Sequence, residues 1–368
     1  MDTSSNATST IRRLLRNTID KSKKASTSIQ SADPAVSPRM SGSHAAENPA
    51  VIEFLKSTVG PKFSGKQFRR LAQLQHEREY SSGTDNQWTT ETGQCYPELN
   101  RYSDVSPYDA TRVPLSSKSG KNDDDKRDDY INASYIYTPK QSRRYIATQA
   151  PNRNTIEHFW RMVWDNISKT QSDTVSTIIM LTELAESGFE KCTPYWPRKV
   201  GQKFEFHHQD ELDQTLVVTL TEVEKDKGSD CTISTIELYI RDPITQNDAP
   251  RYQVKHMLYH GWRDMTVPVS TDTFLNYFQL YQQYHTSEAS PIIHCSAGIG
   301  RTGVFIAVDY LFNAVPQMSV EEILGDPVFE TVDEMRRWRM SMVYRPAQLE
   351  FIYTLFRDMV LGDAEPMG

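Results

Sequence analysis

Twelve residues constrain this chain more than any others. Ile292-Ile-His-Cys295-Ser296-Ala297-Gly298-Ile299-Gly300-Arg301-Thr302-Gly303 runs from an apolar strand, through a loop of small residues, into an apolar helix. Gly298 and Gly300 permit a tight turn in which successive N–H groups point into one concavity. A helix beginning near Arg301 adds its positive end, which makes the loop an anion site. Arg301 follows Cys295 by six residues, close enough to curl over the loop and grip two oxyanion oxygens with its planar fork. A cysteine in that field has its pKa lowered from ~8.5 toward ~3.5–7.5, so it is a thiolate at neutral pH. A thiolate beneath an oxyanion cradle is built to attack phosphorus.

The rest of the chain fits one catalytic unit. Residues 1–48 read as a disordered basic tail: of the first 44, fifteen are Ser or Thr and seven are basic against three acidic. Within it Ile11, Leu14, Leu15 and Ile19 lie near one helical face, in a transient helix, a helix that docks a partner or a membrane surface, or a mitochondrial transit segment. Ser37-Pro38 is a candidate phosphorylation site. Helical patterning over residues 51–80 breaks at Gly60-Pro61. β-Branched runs at 177–181, 216–223 and 231–240 predict strands, and helices are expected at 303–315, 272–285 and 347–361. That mixture predicts a single α/β or α+β domain over residues 49–363, followed by a short tail at 364–368. The segment 116–129 reads as an exposed charged loop.

Composition narrows the function. The net charge of −7 argues against nucleic acid as partner. No apolar run reaches the ~18 residues of a membrane span; the best, from Val304 to Val315, is interrupted by Asp309 and Asn313. Four cysteines without C-x-x-C spacing fit a reducing compartment. Gly60-Pro-Lys-Phe-Ser-Gly65-Lys66-Gln67 mimics a nucleotide-binding loop but has Gln where the hydroxyl belongs. His256-x-x-x-His260 lacks a metalloprotease's Glu, and His207-His208 point to opposite sides of a strand. No metal and no cofactor is expected.

The 292–303 segment resembles the signature loop of the tyrosine-specific, non-receptor protein tyrosine phosphatases. Further motifs of that family follow in order: Asn100-Arg101-Tyr102-Ser-Asp104-Val-Ser-Pro107, Asp129-Tyr-Ile-Asn-Ala-Ser134, Thr148-Gln-Ala150-Pro151, Phe159-Trp160 and Tyr195-Trp196-Pro197. The resemblance spans about residues 50–360. It implies a highly twisted mixed β-sheet flanked by α-helices, of the phosphatase II type, hydrolysing phosphotyrosine in signalling proteins of the cytoplasm, with the nucleus open. By resemblance Cys295 is the nucleophile, Arg301 the phosphate clamp, and the amides of Ser296, Ala297, Gly298, Ile299, Gly300 and Arg301 bind the remaining oxygens. Tyr102 walls a deep slot for the ring and Asp104 holds the substrate backbone. Glu186 and Lys191 touch the clamp or the closed acid loop. Asp264, 31 residues before Cys295, is the general acid and then the base, and Thr302 assists departure of the thiolate.

Three positions depart from the family pattern. Arg263 replaces the proline of Trp-Pro-Asp, which predicts altered closure of the acid loop. Tyr344 stands where a water-orienting Gln is usual, so Gln348 is expected to take that role and phosphoenzyme breakdown to be slow. Ala150 replaces a Gly. Two rival readings follow: a phosphotyrosine-binding pseudophosphatase, favoured by Arg263 and Tyr344, and a dual-specificity phosphatase, which Tyr102 opposes.

Overall fold

The β-branched runs become strands and the 3.6-residue patterns become helices. The computed structural model describes residues 10–11, 43–81, 86–116, 129–141, 143–170, 174–207, 214–241 and 250–362. In chain order the strands are β1 (Ala133–Tyr137), β2 (Arg144–Thr148), β3 (Val175–Met180), β4 (Ala185–Glu186), β5 (Phe189–Glu190), β6 (Lys203–His207), β7 (Thr215–Asp226), β8 (Cys231–Arg241), β9 (Tyr252–Tyr259) and β10 (Ile292–His294). The helices are α1 (Ser43–Ala46), α2 (Pro49–Ser57), α3 (Pro61–Glu79), α4 (Glu91–Cys95), α5 (Ile156–Ile167), α6 (Thr271–Tyr284), α7 (Gly300–Ala314), α8 (Val320–Leu324), α9 (Pro327–Trp338) and α10 (Pro346–Leu361).

Among the described residues, eight strands form one twisted mixed sheet of order β1-β2-β10-β3-β9-β8-β7-β6. β10 lies between β2 and β3 and runs parallel to both. A strand with neighbours on both edges and helices on both faces needs apolar residues throughout, and Ile292, Ile293 and His294 are all buried. One core lies on the side of α6, α7, α9 and α10, built around Phe274, Phe278, Phe305 and Leu349. The other packs Phe159 and Trp160 of α5 against Ile146, Ile178 and Ile292. α7 is buried from Gly300 to Phe312, as expected of a helix apolar on all sides. Its interruption, Asp309, is neutralised in place: Arg143 lies 3.1 Å away and Tyr145 donates at 2.7 Å.

At the amino-terminal end, Ile11 is fully buried in the first core and Ala45 and Ala46 of α1 are buried too. Asn48 then starts α2, its Oδ1 accepting the Ala50 N–H at 2.9 Å. Buried residues therefore occur within the segment that composition assigns to the tail. Leu14, Leu15, Ile19 and Ser37-Pro38 lie outside the described residues, as do 117–128 of the charged loop, His208 and the tail at 364–368.

Candidate active site

β10 ends at His294 and delivers Cys295 to the floor of a loop that closes into α7. Gly298 has φ +70°, and a Cβ there would stand 2.1 Å from the Thr148 carbonyl oxygen. Gly303 is equally constrained, since a Cβ would meet the Val343 nitrogen at 2.4 Å. Only glycine fits either place. Beneath the loop, Arg339 is fully buried and donates to the Gly298 carbonyl at 2.9 Å and the Ala297 carbonyl at 3.1 Å. Asn132 and Ser134 hold the same guanidinium at 2.7 and 3.2 Å, which explains the Asn-Ala-Ser motif. Carbonyls tied outward leave the N–H groups of the loop free to face inward. Burial lowers Arg339 to about 10, still cationic at neutral pH.

Cys295 is 4% exposed. Burial alone would raise its thiol. The Arg301 charge, the Thr302 hydroxyl and the backbone amides of Thr302 and Ile299 outweigh it, and the pKa falls below the ordinary value. Thr302 Oγ1 is buried and makes no regular hydrogen bond, so its donor is available to a sulfur anion. Cys192 and Cys231 are the contrast: both are buried, and burial pushes Cys192 up to about 12, outweighing the charges of Arg101 and Arg198.

Arg301, 2% exposed, is held by four acceptors. Nη1 donates to Glu186 Oε1 at 2.7 Å and to the Trp262 carbonyl at 2.9 Å. Nη2 donates to Thr182 Oγ1 at 3.1 Å and to Asp264 Oδ1 at 3.2 Å. Lys191 donates to the other Asp264 oxygen at 2.7 Å, and Glu186 Oε2 accepts the Asp264 N–H at 2.6 Å. The acid loop is thus seated over the clamp. Burial would raise the Asp264 carboxyl, but Lys191 and Arg301 prevail and lower it. Glu186, the last residue of β4, touches both Arg301 and the Asp264 loop, and Lys191, just after β5, touches Asp264.

Tyr102 shares a 2.9 Å hydrogen bond with Ser296 Oγ, which itself donates to the Lys191 carbonyl at 2.8 Å. Asp104 is exposed on the same segment and Ala297 is half-buried, whereas Ser296, Ile299 and Gly300 are buried. Tyr344 is 38% exposed, and its Cβ lies 3.4 Å from where a Cβ on Gly300 would be. Gln348 is buried beside Gly300, but its amide is occupied: Oε1 accepts the N–H groups of Tyr344 (3.1 Å) and Arg345 (3.3 Å), and Nε2 donates to the Thr266 carbonyl at 3.3 Å. His256 and His260 do not come together as a chelate: His256 faces Tyr195, while His260 faces Glu183 and Thr232.

One network escaped the sequence reading. Tyr195 Oη lies 2.8 Å from His256 Nε2 and 2.7 Å from His294 Nε2, and His294 Nδ1 lies 3.0 Å from the Cys295 carbonyl. That carbonyl can only accept, so neutral His294 carries its proton on Nδ1 and receives the Tyr195 proton at Nε2. Tyr195 must then accept from His256 Nε2–H. The ordered chain fixes the Cys295 carbonyl away from the cradle, and with it the Ser296 N–H toward it. Sequence could not pair residues 61 and 99 positions apart. Arg101 and Gln149 were likewise invisible as braces: Arg101 donates to the Ala150 and Pro151 carbonyls at 3.0 and 2.6 Å, and Gln149 joins Leu99 to Arg101.

Burial lowers His294 and His285 to about 4, and His256 well below its usual value. The unfolded chain binds these protons near pH 6.5 and the folded one does not. Stability is therefore complete above pH 6.5 and lost as pH falls toward 4, by about 1.4 kcal/mol per pH unit for each histidine. Urea midpoints between pH 7 and 5 are expected to drop accordingly; a flat profile would show these rings accept protons in place.

Residues 96–358 match the family description "Protein-tyrosine phosphatase". The chain belongs to the protein-tyrosine phosphatase family. It is 33% identical over 298 residues to mouse tyrosine-protein phosphatase non-receptor type 20, covering 80% of this chain and 59% of that protein. It is 33% identical over 304 residues to tyrosine-protein phosphatase 1 of Schizosaccharomyces pombe, covering 80% and 50%. The chain thus spans half to three fifths of the length of these curated relatives. The crystal structure of the catalytic domain of human protein tyrosine phosphatase non-receptor type 18 superposes with a TM-score of 0.65 at 27% identity, over 86% of this chain and 99% of that one. A complex of that phosphatase with HER2 phosphopeptides gives 0.66. The expected phosphatase fold is thereby established. No described helix is long and apolar enough to cross a membrane.

Proposed function

We propose that this chain hydrolyses phosphotyrosine in proteins through a cysteinyl-phosphate intermediate. The observation that carries the reading is the meeting of Cys295, Arg301 and Asp264 around one anion-binding loop, with the thiol lowered below its ordinary pKa. The Cys295 thiolate forms an S–P bond as the P–O bond to tyrosine breaks, and the phenol oxygen takes its proton from Asp264. Water then attacks phosphorus and gives a proton to Asp264, and the electron pair of the S–P bond returns to sulfur, with Thr302 donating to it. Asp264 is ionised in the resting geometry, so a proton must be supplied. A bound phosphoryl dianion neutralises Arg301 and raises Asp264, so the acid becomes charged with a proton as substrate arrives.

Tyr102, fixed by Ser296, suits an aromatic slot, and exposed Asp104 is placed to meet substrate backbone. A phosphorylated protein is the partner class, and human non-receptor type 18 in complex with phosphopeptides is the relative in point. Thiolate chemistry favours the reducing cytoplasm or nucleus, and the basic tail is the segment available to dock a partner or a membrane surface.

The occupied amide of Gln348 favours a second reading, a binding module with slow turnover, because a Gln spent on backbone groups is poorly placed to guide water. A stopped-flow time course with an aryl phosphate, with Cys295→Ser as blank, separates the two. The expected result is a burst near one equivalent and then a slow steady rate, which Tyr344→Gln accelerates. No release above the blank from folded, reduced protein would select the binding module.

A further inference from the structure

We propose that Arg345 and Met265 form a clasp across the mouth of the slot that holds the acid loop closed, a restraint that proline at position 263 would otherwise share. The inference rests on the phosphatase reading above. Met265, directly after the acid, has φ +60°, a conformation that a side-chain-bearing residue keeps only where its surroundings impose it. From within, Glu186, Lys191 and Arg301 hold Asp264. From outside, two contacts reach the loop from the start of α10: Arg345 Nε donates to Met265 Sδ at 3.3 Å, and Gln348 Nε2 donates to the Thr266 carbonyl at 3.3 Å.

The donor is itself fixed. The Arg345 guanidinium carbon stands 5.1 Å from the Tyr344 ring centroid, and the Arg345 N–H is bound by Gln348. Val343, just before, also has positive φ (60°) and is secured by buried Arg336, which donates to the Val343 and Met342 carbonyls at 3.0 Å each. The clasp thus joins two constrained loops, one braced from the core and the other carrying the acid. Arg263 has no ring to fix its φ, so closure depends on such contacts. Tyr344 acquires a role here: its ring is the platform that aims Arg345.

A positioning residue for the acid has a signature that a merely structural one lacks. With a poor leaving group, such as phosphotyrosine or phenyl phosphate, Arg345→Ala and Met265→Leu should each lower the rate constant of the burst about three- to tenfold. With dinitrophenyl phosphate, which needs no proton, the loss should be under about twofold. The double variant should be no worse than either single one, and Met265→Gln, which restores an acceptor, should recover most of the rate. Amide hydrogen exchange at 264–267 should quicken in Arg345→Ala, a readout independent of turnover. Equal losses across leaving groups, additive effects, or unchanged exchange would each overturn the clasp. If wild-type protein fails to turn over phosphotyrosine, the phosphatase reading falls alone, and exchange still decides the clasp.

Discussion

Replacing Cys295 with serine should cut turnover of phosphotyrosine peptide by about 10⁴–10⁶-fold, the scale on which enzymes lose rate with their nucleophile. The physical reason is the proton. Arg301, Thr302 and two backbone amides lower the buried thiol despite its desolvation, but the same field acting on a serine hydroxyl starts from a far weaker acid and leaves it protonated. Binding should survive, because the Arg301 fork and the loop amides are unchanged. Removing the negative sulfur also removes its repulsion of the phosphoryl dianion, so affinity for a phosphotyrosine peptide should hold or rise. Calorimetric titration of peptide into Cys295→Ser, beside the kinetics, checks both halves. Turnover within tenfold of wild type would remove Cys295 from the chemistry.

For Asp264→Asn, kcat with phosphotyrosine should fall by about 10²–10⁴, the range for a lost general acid. Asn keeps an oxygen for Arg301 and Lys191, so the seated loop should persist while the transferable proton is gone. In wild type the rate should decline as pH rises through the acid's pKa in the substrate complex. That limb lies above the resting value of Asp264, because Lys191 and Arg301 hold the free carboxyl low and substrate neutralises Arg301. The Asn variant should lack the limb altogether. A pH profile of the burst rate constant for both proteins, repeated with dinitrophenyl phosphate, tests this; an Asn variant with the same descending limb would assign the proton to another group.

Much of this site was legible because its chemistry is local. Cys295, the glycines and Arg301 lie within one turn of chain, where backbone geometry is set by immediate neighbours, so their spacing alone implied a cradle and a thiolate. Helix and strand periodicity likewise fixed most elements, since burial of a face depends on a repeat of two or 3.6 residues. The expectation for Gln348 illustrates the limit. Its position beside the loop agreed with the resemblance, yet only packing revealed that its amide is bound to Tyr344, Arg345 and Thr266. Ile11 marks the same limit at the other end of the chain: composition makes its surroundings a solvated tail, and burial against the core makes it part of the fold.

The sequence by itself determined the Cys295–Arg301 loop as a candidate site, the family and the order of elements. The tertiary structure decided which distant groups serve that loop. Glu186 and Asp264 meet Arg301, and Lys191 meets Asp264, because β3, β9 and β10 are neighbours. Arg339 reaches the loop carbonyls because α9 packs beneath it, and Tyr195 aligns two histidines from different strands. No local rule encodes such meetings. They follow from strand order and side-chain packing, which are set by burying the whole apolar surface at once rather than by any one stretch of residues.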